Sequence, residues 1–215
     1  MSTAAPGVEP FARQLRAWWL GGDTWRRRGL PWREEGVTTL ELAATEALMA
    51  QTPADVVAFH WWAIFDGLRL LEPGAMVGPA DVEDLARRVA PLGLGDRKAR
   101  TMVSIAEVVT TGRWTEPGWG LGPYTLGMVR LATGQGVAAP VDTNVSRVAR
   151  RAGWSDPEDF SRSLSGWATA HGWGPDHLPP GYAALSAVMD LGHVYCRAAV
   201  GSCLVCPCQS ECPKW

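Results

Sequence analysis

The chain has 215 residues, 47% of them apolar and 20% charged, which is enough apolar material for one sizeable core or two small ones and too little charge for a disordered segment. The formal net charge is −2, so no overall positive field draws the chain to nucleic acid or to an anionic surface, and basic residues matter only where they cluster. The apolar stretch at 56–65 is interrupted by His60 and falls short of a membrane span, and the first ten residues lack the basic and apolar regions of a secretory signal. Together these predict a cytoplasmic protein with no membrane partner.

Glycine and proline divide the sequence into short helical patterns, with no alternating run long enough for a sheet, and this predicts an all-α fold. Residues 38–65 read as two apolar helices parted near Thr52 and Pro53, with Thr52 as cap and Pro53 in the first turn of the second. An amphipathic helix follows at 79–89. Another spans 96–110, with Met102, Val103, Ile105, Ala106 and Val109 turned inward. Residues 112–122 form a loop dense in Gly, Pro and Trp, after which helical patterns resume at 124–133, 142–151, 156–171 and 182–195. Basic residues gather at Arg26, Arg27, Arg28 and Arg33, at Arg97, Lys98 and Arg100, and at Arg147, Arg150 and Arg151; each group suits phosphate contact or a solvated helix face equally. All but two of the 20 basic residues are arginine, the exceptions being Lys98 and Lys214.

The sharpest signal is at the end of the chain, where Cys196, Cys203, Cys206 and Cys212 follow one another at spacings of six, two and five residues. Thiolates so arranged suit an iron-sulfur cluster or zinc, and the loop is too short to build a core of its own. Zinc more often takes two tight C-x2-C pairs, and a pair of disulfides needs an oxidising compartment. Cys208 lies inside the run but off the spacing and reads as a bystander thiol. A structural cluster here would pin the chain end and let Arg197 and Lys214 project toward a phosphate.

Upstream, Leu30-Pro31-Trp32-Arg33, the helix 45–52, the segment Gly120-Leu121-Gly122-Pro123-Tyr124-Thr125, then Val141-Asp142-Thr143-Asn144 with Arg147 and Arg150, and Met189-Asp190-Leu191-Gly192 before the cysteines form a series. In these residues the chain resembles the endonuclease III and adenine DNA glycosylase branch of the helix-hairpin-helix DNA glycosylases. The resemblance covers most of the chain and implies a two-lobed fold: residues 38–141 with the hairpin motif at about 112–133, and residues 1–37 plus 142–215 with the cysteine loop. It implies a 4Fe-4S cluster on Cys196, Cys203, Cys206 and Cys212. Asp142 falls on the family's catalytic aspartate and Glu46 on its catalytic glutamate, while Gln51 matches a wedge that fills the base stack when a nucleotide is flipped. Gly120, Leu121, Gly122 and Thr125 fall on the DNA-binding hairpin, whose Gly-x-Gly turn offers backbone N–H groups and a helix N-terminus to a phosphate.

The chemistry of these residue types agrees with that placement. Breaking an N-glycosidic bond builds positive charge on the sugar, which a carboxylate stabilises, while a second carboxyl group protonates the leaving base. Asp142 suits the first role and is equally suited to an ordinary helix N-cap; Glu46 suits the second, in an apolar helix where burial would raise its pKa, and also reads as a solvated helix residue. Tyr124 stands where bifunctional relatives carry a Schiff-base lysine. A phenol cannot form that imine, so the chain reads as monofunctional, leaving an abasic site. The expected partner is double-stranded DNA with a mismatched or damaged base, bound by a monomer in the cytoplasm and nucleoid.

On substrate the signals divide. Met189-Asp190-Leu191-Gly192 is similar to the adenine enzymes. Ala50, where those carry the first of two glutamines, departs from them; Tyr124 resembles the thymine-mismatch glycosylases and some adenine glycosylases, and Leu92-Gly93-Leu94 is closer to thymine or uracil glycosylases acting opposite guanine. The open readings are therefore adenine opposite guanine or 8-oxoguanine, thymine or uracil opposite guanine, a specialised damaged or modified base, and a non-catalytic iron-sulfur protein that binds DNA or senses redox state. Of the tryptophans, Trp61, Trp62, Trp167 and Trp173 read as packing residues and Trp119 as the one beside the hairpin.

Overall fold

The structure, a computed structural model, describes residues 7–21, 28–68, 78–114, 118–199 and 201–213. Every regular element among them is helical: α1 (Val8–Leu20), α2 (Thr39–Leu48), α3 (Ala54–Phe65), α4 (Pro79–Val89), α5 (Gly95–Thr111), α6 (Pro123–Ala132), α7 (Thr143–Arg151), α8 (Pro157–His171) and α9 (Pro180–Val194), with short 3-10 turns at Pro31–Arg33, Ala90–Leu92, Cys203–Val205 and Gln209–Glu211. None of these helices is long and apolar enough to cross a membrane. Arg26, Arg27, Lys214 and part of the loop at 112–122 lie outside the described residues.

The chain divides into two compact units, 28–129 and 1–27 with 130–215. These limits differ from the expected 38 and 141. Leu30, Pro31 and Trp32 are buried, and their turn packs on α2 and α3, so this segment joins the first unit. The later boundary falls within α6, where Leu131 already lies against Gly181 of α9.

Each unit is built around one helix buried on nearly every side. In the unit 28–129 this is α2, with Leu42 through Leu48 all buried. Its alanines let α5 and the Pro31–Arg33 turn approach closely. A capping box starts it: the Thr38 side chain accepts from the Glu41 N–H at 3.2 Å, and Glu41 Oε2 accepts from the Thr38 N–H at 2.7 Å. Thr52 is not the cap of α3. Pro53 holds that position, and the Thr52 hydroxyl donates instead to the Leu92 carbonyl at 3.1 Å. Helix α5 buries Met102, Ile105 and Ala106 as expected, but not the whole of the expected face. Val103 and Val109 are only half-buried, while Lys98, Thr101 and Ser104 are buried, Lys98 by carbonyl groups at the end of α2 and the other two beneath glycines of the loop before α6.

In the unit formed by 1–27 and 130–215 the central helix is α9, buried from Gly181 through Val188. Helices α1, α7 and α8 pack on it. The N-terminal helix α1 adds Phe11, Leu15 and Trp19 to this core, with Phe11 edge-on to Phe160 at 5.5 Å. The Trp19 indole N–H donates to buried Asp190 of α9 at 2.9 Å, satisfying a carboxylate that would otherwise be costly to bury.

Candidate active site

Helix α7 begins at Asp142, whose Oδ1 accepts from the Val145 N–H at 2.6 Å and so caps the helix. Its Oδ2 accepts from the Asn144 amide at 3.1 Å. The approach to Asp142 is fixed by two buried serines of α8: Ser161 donates to the Pro140 carbonyl and Ser165 to the Ala138 carbonyl, both at 2.9 Å. From Asn144 the bonding continues along α7. Arg147 donates to Asn144 Oδ1 at 2.5 Å, to the Gly192 carbonyl at 3.0 Å and to the Cys196 carbonyl at 2.5 Å. A Cβ at Gly192 would fall 2.9 Å from that of Asn144, so glycine is needed there for α9 to meet α7. Asp142, Thr143, Ser146, Arg147, Arg150 and Arg151 line an open groove of about 780 Å³, a carboxylate beside three guanidinium groups.

The same helix holds the cysteine loop. Arg151 donates to Cys196 Sγ at 3.3 Å, to the Arg197 carbonyl at 2.8 Å and to the Ala198 carbonyl at 3.3 Å. On the other flank Gln14 of α1 bonds Ser210 and, at 3.2 Å, Glu211. All five cysteines are free thiols. Cys196, Cys203, Cys206 and Cys212 are half-buried, and all the others raise the pKa of Cys206, though burial contributes more and the Cys208 N–H opposes both. Cys208 is buried, which pushes its own thiol up still further.

Among the described residues no three His, Cys, Asp or Glu groups converge tightly enough to grip one metal ion. Zinc would need its sulfurs about 2.3 Å from a shared centre. Cys196, Cys203 and Cys212 each act on the Cys206 thiol, and four thiols on one short loop suit an iron-sulfur cluster. An N–H and a guanidinium aimed at the sulfurs suit its anionic thiolates.

In the unit 28–129, Glu46 is 3% exposed, in the all-buried stretch of α2. The turn after α2 exposes Gln51 at φ +58°, a left-handed conformation uncommon outside glycine. The loop leading to α6 lies flat on α5: a Cβ at Gly120 (φ +78°) would collide with the Thr101 hydroxyl, and one at Gly118 with Ser104. The Leu121 and Gly122 N–H groups turn back to the Gly118 and Gly120 carbonyls, so two donors expected to face a phosphate close within the loop. Leu121 is buried, and Tyr124 and Thr125 are half-buried in the first turn of α6.

Comparison with known proteins places this arrangement. Residues 44–167 match the model of the HhH-GPD superfamily base excision DNA repair proteins, a span that runs from the Glu46 helix through the hairpin and Asp142 into α8. The chain belongs to the HhH-GPD superfamily. It is 32% identical over 194 residues to the adenine DNA glycosylase of Mycolicibacterium smegmatis, covering 84% of this chain and 63% of that protein's length. A thermostable thymine-DNA glycosylase shares the fold with a TM-score of 0.62 at 18% identity, over 96% of this chain and 95% of that one. Endonuclease III, solved as a non-covalent complex with DNA, shares it with a TM-score of 0.53 at 20% identity, over 94% and 95% of the two chains.

Within this HhH-GPD chain the sequence reading named the residues at the ends of the bonded network, Asp142 and the cysteines, but not the function of those joining them. Asn144, Arg147 and Arg151 were legible as one helix face, since they follow at spacings of three and four. Of the basic clusters, Arg33 and Lys98 are buried, and Arg147 and Arg151 are engaged by carbonyl groups, whereas Arg97, Arg100 and Arg150 face solvent. Burial, and then the charge of Arg97, push the Lys98 ammonium below the usual lysine range.

Proposed function

We propose that this HhH-GPD chain is a monofunctional DNA glycosylase that hydrolyses the bond between a flipped base and its sugar. The observation that carries this reading is Asp142 at the head of α7, held by Val145 and Asn144 within a groove lined by Arg147, Arg150 and Arg151. Guanidinium groups there suit the phosphates on either side of a lesion, while the carboxylate faces the sugar. As the C1′–N bond breaks, its electron pair leaves with the base. Glu46, buried within α2, supplies the proton the base takes up. The positive charge left on the sugar is stabilised by Asp142, and a water then adds at C1′ and loses a proton, giving an abasic site. Tyr124 at the start of α6 has no amine with which to capture the sugar, so strand cleavage does not follow.

Cys196, Cys203, Cys206 and Cys212 would hold a 4Fe-4S cluster, which when bound supplies a rigid cross-link for a loop with little core of its own. Arg151 and Gln14 orient that loop, and Arg147 ties its first residue to Asn144. Adenine is the favoured base, supported by the 32% identical adenine DNA glycosylase. Thymine or uracil opposite guanine is the second reading, supported by Tyr124.

The test is a strand-nicking assay on duplexes carrying A:8-oxoguanine, A:G, T:G and U:G, each with and without hot alkali. Nicks that appear only after alkali are expected, and the responding duplex names the base. Nicks without alkali would overturn the reading of Tyr124. A wholly inert panel would move the activity to another lesion or to binding alone.

A further inference from the structure

The described residues contain one lysine, and it is 2% exposed. A lysine is almost never buried without a partner, and here the partners are backbone carbonyls at the end of another helix. Lys98 of α5 donates to the Leu48 carbonyl at 2.9 Å and to the Ala50 carbonyl at 2.6 Å. These lie on either side of Met49, where α2 gives way to the turn carrying Gln51. On the far flank, Thr52 donates to the Leu92 carbonyl at 3.1 Å. The exposed Gln51, at φ +58°, is thus held on both sides. A left-handed non-glycine conformation persists only where its surroundings fix it, and such positions gather at working sites.

The next polar residues on the same buried face of α5 are Thr101 and Ser104, three and six positions on, and these receive Gly120 and Gly118 of the hairpin loop. With a rise of about 1.5 Å per residue, the Gln51 turn and the hairpin are indexed on one rod within about 9 Å. This explains why α5 turns a polar stripe inward. We infer that Lys98 is a positioning residue that holds the Gln51 turn in fixed register with the Gly118–Gly122 hairpin, so that both loops meet a duplex as one rigid template. The inference rests on the reading of Gln51 as the wedge that fills the stack.

The test uses the full chain and a duplex in which a stable abasic analogue faces 2-aminopurine, whose fluorescence reports local unstacking. The variants are Lys98→Met, Gln51→Ala and the double substitution, each checked by circular dichroism and melting to be folded at the assay temperature. Lys98→Met is expected to lower the preference for the abasic over the intact duplex by on the order of tenfold, the size set by lost hydrogen bonds to a charged group. It should reduce the fluorescence change as far as Gln51→Ala does, and the double variant should be no worse than either single one. A lysine that merely stabilised the fold would lower the melting temperature and leave the fluorescence change intact; that result, with Gln51→Ala impaired, overturns the inference. If Gln51→Ala itself behaves as the wild type, the wedge reading has failed and the inference falls with it. Should Lys98→Met not fold, Thr52→Val removes the opposite anchor: a smaller loss in the same direction supports the inference, and wild-type behaviour overturns it.

Discussion

Helices α7 and α2 each carry one of the two candidate carboxylates, and each must satisfy the open N–H groups of its first turn. In α7 the carboxylate does both jobs, since Asp142 is itself the cap. In α2 the duties are separate: Thr38 and Glu41 form the capping box, and Glu46 lies two turns further along in the buried stretch. The supports differ as well. Asp142 is braced by a charged network of Asn144 and Arg147 reaching to Gly192 and Cys196, whereas the unit of Glu46 has glycines laid on α5 and buries two cations, Arg33 and Lys98. The first carboxylate is thus held at a helix end by polar partners, and the second lies within a buried helix.

The largest effect expected from this contrast is at Asp142. Asparagine caps helices as well as aspartate does, so Asp142→Asn should fold, bind duplex DNA and lose excision by about 10²–10³-fold or more, as removal of a transition-state charge partner does. Single-turnover excision and a thermal melt read the two halves of that statement, and unchanged excision would remove Asp142 from the mechanism. Next comes Arg147→Ala, which strips the carbonyls of Gly192 and Cys196 and the Asn144 amide oxygen of their shared donor. A loss of about 2–3 kcal/mol in stability is expected, together with slower excision, since Asn144 is then free to turn away from Asp142. Lysine at this position should not rescue, because one ammonium cannot reproduce the planar fork. Excision unaffected by either substitution would show that the network braces the cysteine loop alone.

How much of this was legible in the sequence follows the same division. The all-α class, the helices from α2 onward and the cysteine spacing were read from periodicity and punctuation. Helix α1 was not. Its Pro10 falls in the first turn, where proline is tolerated, and Phe11, Leu15 and Trp19 at four-residue spacing carry the buried face. The face of α5 was legible in part: Met102, Ile105 and Ala106 are buried as expected, whereas Lys98, Thr101 and Ser104 look like surface residues until the carbonyls and glycines that meet them are known. Lys98 does share a register with Met102 and Ile105, four and seven positions on, which is the clue that was present. Gly192 and Gly120 stand in motifs that were read, but the packing that excludes a Cβ there was not legible, because it comes from Asn144 or Thr101 arriving from another helix.

A smaller effect tests the close-packed side of the comparison. Gly120→Ala adds a Cβ at φ +78° that collides with Thr101, and should cost about 1–3 kcal/mol and loosen DNA binding. Gly122→Ala meets nothing within 4 Å and should change stability by no more than about 0.5 kcal/mol. Denaturant melts of the two variants separate backbone packing from a general intolerance of substitution in the loop.

The smallest expected effect isolates capping from chemistry. Thr38→Ala removes the hydroxyl that accepts from Glu41 and should destabilise the chain by about 1 kcal/mol, the usual size of a lost N-cap. Because Glu46 sits two turns away, excision by the folded fraction should be unaltered. Asp142→Ala cannot be read this way, since it removes cap and carboxylate together, so subtracting the Thr38→Ala cost from its stability loss gives a first measure of what Asp142 adds to α7 beyond ordinary capping. A remainder near zero would mean that Asn144 and Arg147 serve the orientation of the carboxylate rather than the stability of the helix. A remainder of 1 kcal/mol or more would mean that this network also holds the unit together through Asp142.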